Sequence, residues 1–202
     1  MENSATLQRV AEGAAMMTDT TVSRKIVGAA WPRHFNRPTA LATNENIKAA
    51  GLPPLSEDHQ RFAKALQTLM GSDNPQGLAT DLSGIAEPQE TPVSGGSDDI
   101  GDISWNVPTV TLRYPSNVRG LQGHHWSSAM AMATPIAHKG ATAGAKVVAA
   151  TMLDLIQDPS LVRDAQAYFD DVQTAEVQYE PFIGPDDAPA IEKNAEIMAQ
   201  FK

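Results

Sequence analysis

His124 and His125, followed by Trp126, are the densest cluster of chemically versatile side chains in this sequence, and His138 lies fourteen residues beyond His124. Three of the five histidines thus fall within fifteen residues. Neutral imidazole is a common transition-metal ligand and carries protons near neutral pH. Between a strand-like run and a long apolar helix, such a cluster suits one wall of a metal hydrolase site. It cannot be the whole site. A metal site needs three or four donors, and the chain has no cysteine, no His-x-Asp and no paired glutamates.

Each of these residues also has a plain structural reading. His124 could ligate a metal or be satisfied by backbone at a strand end. His125 could orient a site or face solvent, and Trp126 reads as a packing residue. His138 could receive a substrate carboxylate near a helix N-terminus, where backbone N–H groups favour anions, or could simply open that helix. Asp98, Asp99 and Asp102 could contribute to a metal cluster, or Asp98 or Asp99 could cap a short helix. His34 and Asn36 could reach a site, or serve as turn and helix cap. Gly95-Gly96 lacks the Lys-Ser/Thr of a phosphate loop. Ser127-Ser128 lacks the setting of a nucleophile elbow.

The elements that must position these groups can be read from periodicity. Residues 6–17 carry Leu7, Val10, Ala11 and Ala14 at helical spacing. Residues 20–30 are rich in β-branched side chains and predict a strand. Residues 31–36 form a turn, and Asn36 caps a helix with Pro38 in its first turn and Gly51 past its end. Pro53-Pro54 marks a candidate domain boundary. Ser56 caps the next helix, which shows Phe62, Leu66 and Leu69 on one face and ends at Gly71. Residues 72–96 are a long polar loop, either functional or disordered. Residues 107–114 alternate and predict a second strand. Helices are expected over about 136–156, 159–172 and 189–201. The first half of the long one, Gly140-Ala-Thr-Ala-Gly144, is small enough to admit another backbone. Strands alternating with helices predict a mixed α/β class, with too few strands for a complete sheet.

Composition narrows the partners. The chain has 202 residues, 42% hydrophobic and 19% charged, as expected for one or two small globular domains. Lys and Arg number 15 against 24 Asp and Glu, a net charge of −9. That opposes nucleic-acid binding and anionic membrane surfaces. Absence of cysteine excludes disulfides and thiolate chemistry from this chain. The N-terminus shows neither the basic nor the apolar region of a signal peptide, and no apolar run spans a bilayer, so cytoplasm is the expected location.

Several words of the sequence resemble one family. Gly96-Ser-Asp-Asp-Ile-Gly-Asp-Ile-Ser-Trp105, then His124-His-Trp and Ala137-His-Lys-Gly140, are similar in order and spacing to the C-terminal catalytic region of dimetal amidohydrolases of the aminobenzoyl-glutamate hydrolase type. Arg9-Val-Ala-Glu-Gly-Ala-Ala-Met-Met-Thr18 and Ala30-Trp-Pro-Arg-His-Phe-Asn-Arg-Pro38 resemble the end of that family's lid, or dimerisation, domain. The resemblance implies metal-assisted hydrolysis of N-acyl or N-aroyl amino acids, with zinc or manganese as cofactor. By position it makes His124 the last metal ligand and puts Asn36, Asp99, His125 and His138 at or near the substrate. Asp98 stands where the family has threonine. The family's Cys-x-His, Glu-Glu and further histidine are absent, and with them the general base.

The expectation is therefore an incomplete lid segment over 1–52, reading α-β-α, followed over 53–202 by the C-terminal part of an α/β catalytic domain. Such a chain would be a fragment or subunit, inactive alone and completed by an N-terminal half on another chain. It would dimerise through its lid segment, where an unfinished sheet leaves edges open. The alternative is a non-catalytic oligomerisation module derived from the family.

Overall fold

A computed structural model describes residues 2–85 and 98–201, with side chains from residue 4 onward. Among the described residues eight α-helices follow in order: α1 (Glu2–Met17), α2 (Arg37–Ala50), α3 (Glu57–Leu69), α4 (Ile100–Ser104), α5 (Trp126–Met132), α6 (Pro135–Gln157), α7 (Pro159–Tyr168) and α8 (Ala195–Ala199). One π-helical turn, Phe169–Gln173, continues α7, and a 3-10 turn, Ile191–Asn194, leads into α8.

The capping residues act as their side-chain chemistry dictates. Asn36 accepts from the Thr39 N–H at the start of α2, and Gly51 closes the helix at φ 66°. Ser56 opens α3 in a reciprocal capping box with His59. Thr134 and Asp158 cap α6 and α7, each with proline in the first turn. Before α4, Asp98 rather than Asp99 supplies a side-chain acceptor, taking the Ile100 N–H at 3.1 Å.

The mixed α/β expectation is overturned: among the described residues there is no strand. The segments 20–30 and 107–114 lack regular structure. β-Branched residues favour extended backbone, but a strand exists only where a neighbour completes its hydrogen-bond ladder. Residues 107–114 find other partners. Thr109 gives its carbonyl to the Asn36 N–H at 2.9 Å, and Leu112 and Tyr114 lie against α6 at Gly144. The argument for association through open sheet edges loses its basis with the sheet.

Two packed regions hold the chain. In the first, Ala63 and Leu66 of α3 bury against Leu78, Val118, Ala131 and Ile136. Two glutamines of α3 pin the start of the long polar loop here: Gln67 accepts the Gly77 N–H at 2.7 Å and Gln60 the Leu78 N–H at 2.8 Å. Residues 86–97, the rest of that loop and the Gly95-Gly96 pair with it, lie outside the described residues. In the second region α2 packs on α6 and α7, with Val147, Thr151, Ala165 and Phe169 buried there.

The small residues of α6 do what their size allows. A Cβ on Gly140 would collide with the Pro115 carbonyl, and one on Gly144 would come within 3.3 Å of Tyr114 Cβ. Gly140→Ala is therefore expected to lower unfolding stability by about 1–3 kcal/mol, the usual cost of overpacking. Gly13→Ala, in open space on α1, should be neutral or stabilising. Paired urea titrations of the two variants check the contrast, and equal behaviour would show that the 115–116 segment does not press on α6.

Candidate functional site

The segment 31–36 and the segment 98–105 dock on each other. Asp102 accepts the Trp31 N–H at 3.2 Å and the Tyr179 hydroxyl at 3.0 Å. Asp98 pairs with Arg33, which donates through both Nε and a terminal guanidinium nitrogen. Ser104 Oγ, fully buried, accepts the His34 N–H at 2.9 Å, and Trp105 Nε1 donates to the Pro32 carbonyl at 2.8 Å. Gly101 must be glycine, because a Cβ there would strike the Trp31 carbonyl. Around this seam Trp31 stacks on Phe182 at 5.0 Å and tilts against Trp105 and Tyr179, while His34 stacks on Trp105. A surface cavity of about 500 Å³ opens beside it, lined by Trp105, Phe169, Asp170, Gln178 and Tyr179 among others.

Asn36 sits at the end of this seam and is 0% exposed. Its Oδ1 accepts from Thr39 N and Thr39 Oγ1, and its Nδ2 donates to Ala165 O at 2.8 Å and Gln173 Oε1 at 2.9 Å. Two acceptor and two donor positions exhaust what a primary amide offers.

The histidines stand elsewhere. His124 is exposed in a turn at φ 54°, a left-handed conformation costing a non-glycine residue on the order of 1–2 kcal/mol. His125 is the N-cap of α5: its Nδ1 accepts the Ser127 N–H at 3.3 Å and meets Ser127 Oγ at 2.8 Å. Trp126 is half exposed, its ring tilted against His125. His138 is exposed on α6 and lines a cleft of about 330 Å³ with Pro53, Pro54, Lys139 and Lys146. Lys139 bridges that cleft by donating to the Pro54 carbonyl at 2.8 Å. Asp99 is exposed and makes no capping bond.

The sequence-predicted site residues are thus spread over separate elements: Asn36 at the start of α2, Asp99 before α4, His124 and His125 before α5, and His138 on α6. Among the described residues, no three His, Asp or Glu side chains converge as a metal site would require. The donors present therefore do not by themselves fit zinc or manganese. What the sequence missed is the seam. Asp102, Gln173 and the Arg33–Asp98 pair find partners 65 to 137 residues away, and no local spacing signals such partners.

Two groups at the seam have displaced acidities. Arg33 holds the Asp98 carboxyl below the ordinary aspartate range, chiefly through its hydrogen bonds. Burial pushes His34 below 6.5, and its Nδ1 is buried without a partner.

No protein-family model matches the chain, and no solved structure matches it. Among curated proteins it is similar to a p-aminobenzoyl-glutamate hydrolase subunit of Escherichia coli (strain K12), with 29% identity over 182 aligned residues. The match covers 78% of this chain and 37% of the relative, so the chain spans little more than a third of the relative's length.

Asn36→Ala should cost about 2–4 kcal/mol, from a lost helix cap plus the stranded acceptors of Ala165 and Gln173. A melting temperature unchanged by the substitution would contradict the bonding described here. The His34 shift has a definite sign. Its folded-state value is depressed, so the unfolded chain binds more protons just below pH 6.5. Stability is thus complete above pH 6.5 and falls as pH drops through the folded-state value. Imidazole NMR titration should place His34 below 6.5, and His34→Gln should remove its part of the slope; a value at or above 6.5 would contradict the burial.

Proposed function

Because the chain belongs to the p-aminobenzoyl-glutamate hydrolase family, we propose that it is a part or subunit of a metal-dependent amidohydrolase that cleaves N-acyl or N-aroyl amino acids. The observation that carries this reading is the match over 78% of the chain to a protein named for hydrolysing p-aminobenzoyl-glutamate. The seam between residues 31–36 and 98–105 adds to it, because these are two of the most family-like stretches of the sequence and they grip each other.

In this reading His124 offers one imidazole to a zinc or manganese ion whose other donors come from outside the chain. Its exposure on a left-handed turn leaves the imidazole accessible to an incoming group. His125 holds the turn that presents it, through its bond to Ser127. Asp99 and His138 remain exposed for contact with substrate. Asn36, with its amide fully engaged, acts by fixing the seam. A metal bound there would supply the Lewis acid and the activated water of amide hydrolysis. The complete assembly includes a second polypeptide portion carrying the remaining ligands and the general base. The assembly works in the cytoplasm. No helix of the described residues is long and apolar enough to cross a membrane.

A second reading, a non-catalytic interaction module, is favoured by one observation: no three metal donors converge within the described residues. Metal analysis of protein purified without a histidine tag separates the two. The hydrolase reading expects substoichiometric zinc or manganese and no aminobenzoyl-glutamate hydrolysis from the lone chain. Stoichiometric metal and hydrolysis should both appear when the complementary portion is supplied, and both should be lost with His124→Ala. A stable metal-free homodimer that stays inert on addition of that portion would favour the module. Stoichiometric metal unaffected by His124→Ala would remove His124 from the site.

A further inference from the structure

The second apolar face of α6 is the strongest unassigned feature. One side of the helix buries Ile136 in the cluster around Ala63 and Leu66 of α3, Gly140 and Gly144 against the 112–116 segment, and Val147 and Thr151 in the region packed on α2. About a third of the way around the helix, Ala141, Ala145, Val148, Ala149, Met152 and Ile156 fall at helical spacing and are exposed, Met152 at 57% and Ile156 at 74%. No charged side chain interrupts this stripe over four turns. A helix whose apolar surface extends well beyond its buried face is normally covered by a further packed element. Lone exposed hydrophobes are common, whereas contiguous apolar patches are where interaction surfaces concentrate. The alanines let a partner's backbone approach closely, while Val148, Met152 and Ile156 supply the apolar area.

We propose that this face of α6 is the docking surface for the complementary portion of the amidohydrolase, which covers it with an apolar layer of its own. The inference rests on the completion reading under Proposed function and adds the surface to it. The relative's length argues for this occupant over a second copy: the match takes up 37% of that protein, and the larger remainder is ample chain to form a layer. Self-association would also bring together two chains of net charge −9, which oppose each other. The stripe begins just after His138, so the same docking brings the partner to the cleft of Pro53, Pro54 and Lys146.

Because the chain has no cysteine, a single introduced thiol reports accessibility cleanly. Met152→Cys and, as a control on the exposed part of α1, Leu7→Cys are each labelled with a maleimide, alone and after co-expression with a tagged polypeptide comprising the portion of the Escherichia coli relative outside the match. Peptide mass spectrometry reads the rate at each position. The expected result is co-purification, at least roughly tenfold slower labelling at Met152→Cys, and an unchanged rate at Leu7→Cys. Co-purification with no protection at Met152→Cys overturns the surface while leaving the completion reading intact. No co-purification, with rapid labelling of a monomeric lone chain, overturns both. Concentration-dependent protection in the lone chain assigns the stripe to a second copy and also overturns the proposal.

Discussion

The bonding of the Asn36 amide is the interaction on which the arrangement of this chain depends. It caps α2, seizes the last turn of α7 at Ala165, and reaches Gln173 on the π-helical turn. Gln173 in turn donates to the His34 carbonyl at 3.2 Å. The Asn36 backbone N–H draws in the 107–114 segment through Thr109. Stretches far apart in sequence thus meet at one buried residue. A buried amide is costly unless every donor and acceptor is matched. That cost is what makes the junction specific: moving any one stretch strands a polar group in the interior. The irregular stretch before α2 is held in place by this junction and by the seam beside it.

The seam extends that logic outward. Asp102 and Asp98 look from their spacing like metal donors, yet each is spent on the segment it touches, Asp102 on Trp31 and Tyr179, Asp98 on Arg33 and the start of α4. A carboxylate already accepting hydrogen bonds from a hydroxyl and a backbone N–H has little to offer a cation without first losing them. The acidic run is therefore a clamp that positions the short helix α4 and, beyond it, Trp105. Exposed Asp99, which carries no such duty, is the member of the run left open to a ligand.

Much of the helical framework is legible in the sequence because its signals are local. Asn36, Ser56 and Gly51 cap where their chemistry predicts, and Gly140 and Gly144 admit another backbone as their size suggests. The strand expectations fail because alternation and β-branching describe one segment, whereas a strand is a relation between two. α5, only seven residues long, leaves too short a period to see. Spacing singles out His125 and His138 as candidates but says nothing of their environments. The capping bond of His125 and the cleft around His138 depend on Ser127, Pro53 and Pro54 meeting them in space. The glutamines that fasten residues 77 and 78 to α3 give no sequence signal, since a glutamine on a helix usually faces solvent.

The two halves of the chemistry then have one physical explanation. A single imidazole binds a metal weakly, since useful affinity needs several deprotonated donors held in convergence. A helix with an exposed apolar stripe beside its buried face is equally unsatisfied on its own. In the proposed assembly, His124 on its exposed turn and α6 with its open stripe are incomplete in the same sense, one awaiting further donors and the other a covering layer. If the polypeptide that covers α6 also carries the missing ligands, burial of the stripe provides the binding energy that holds the donors around His124. The apolar face would then set whether the metal site exists at all, and the histidines would set only what it does once formed.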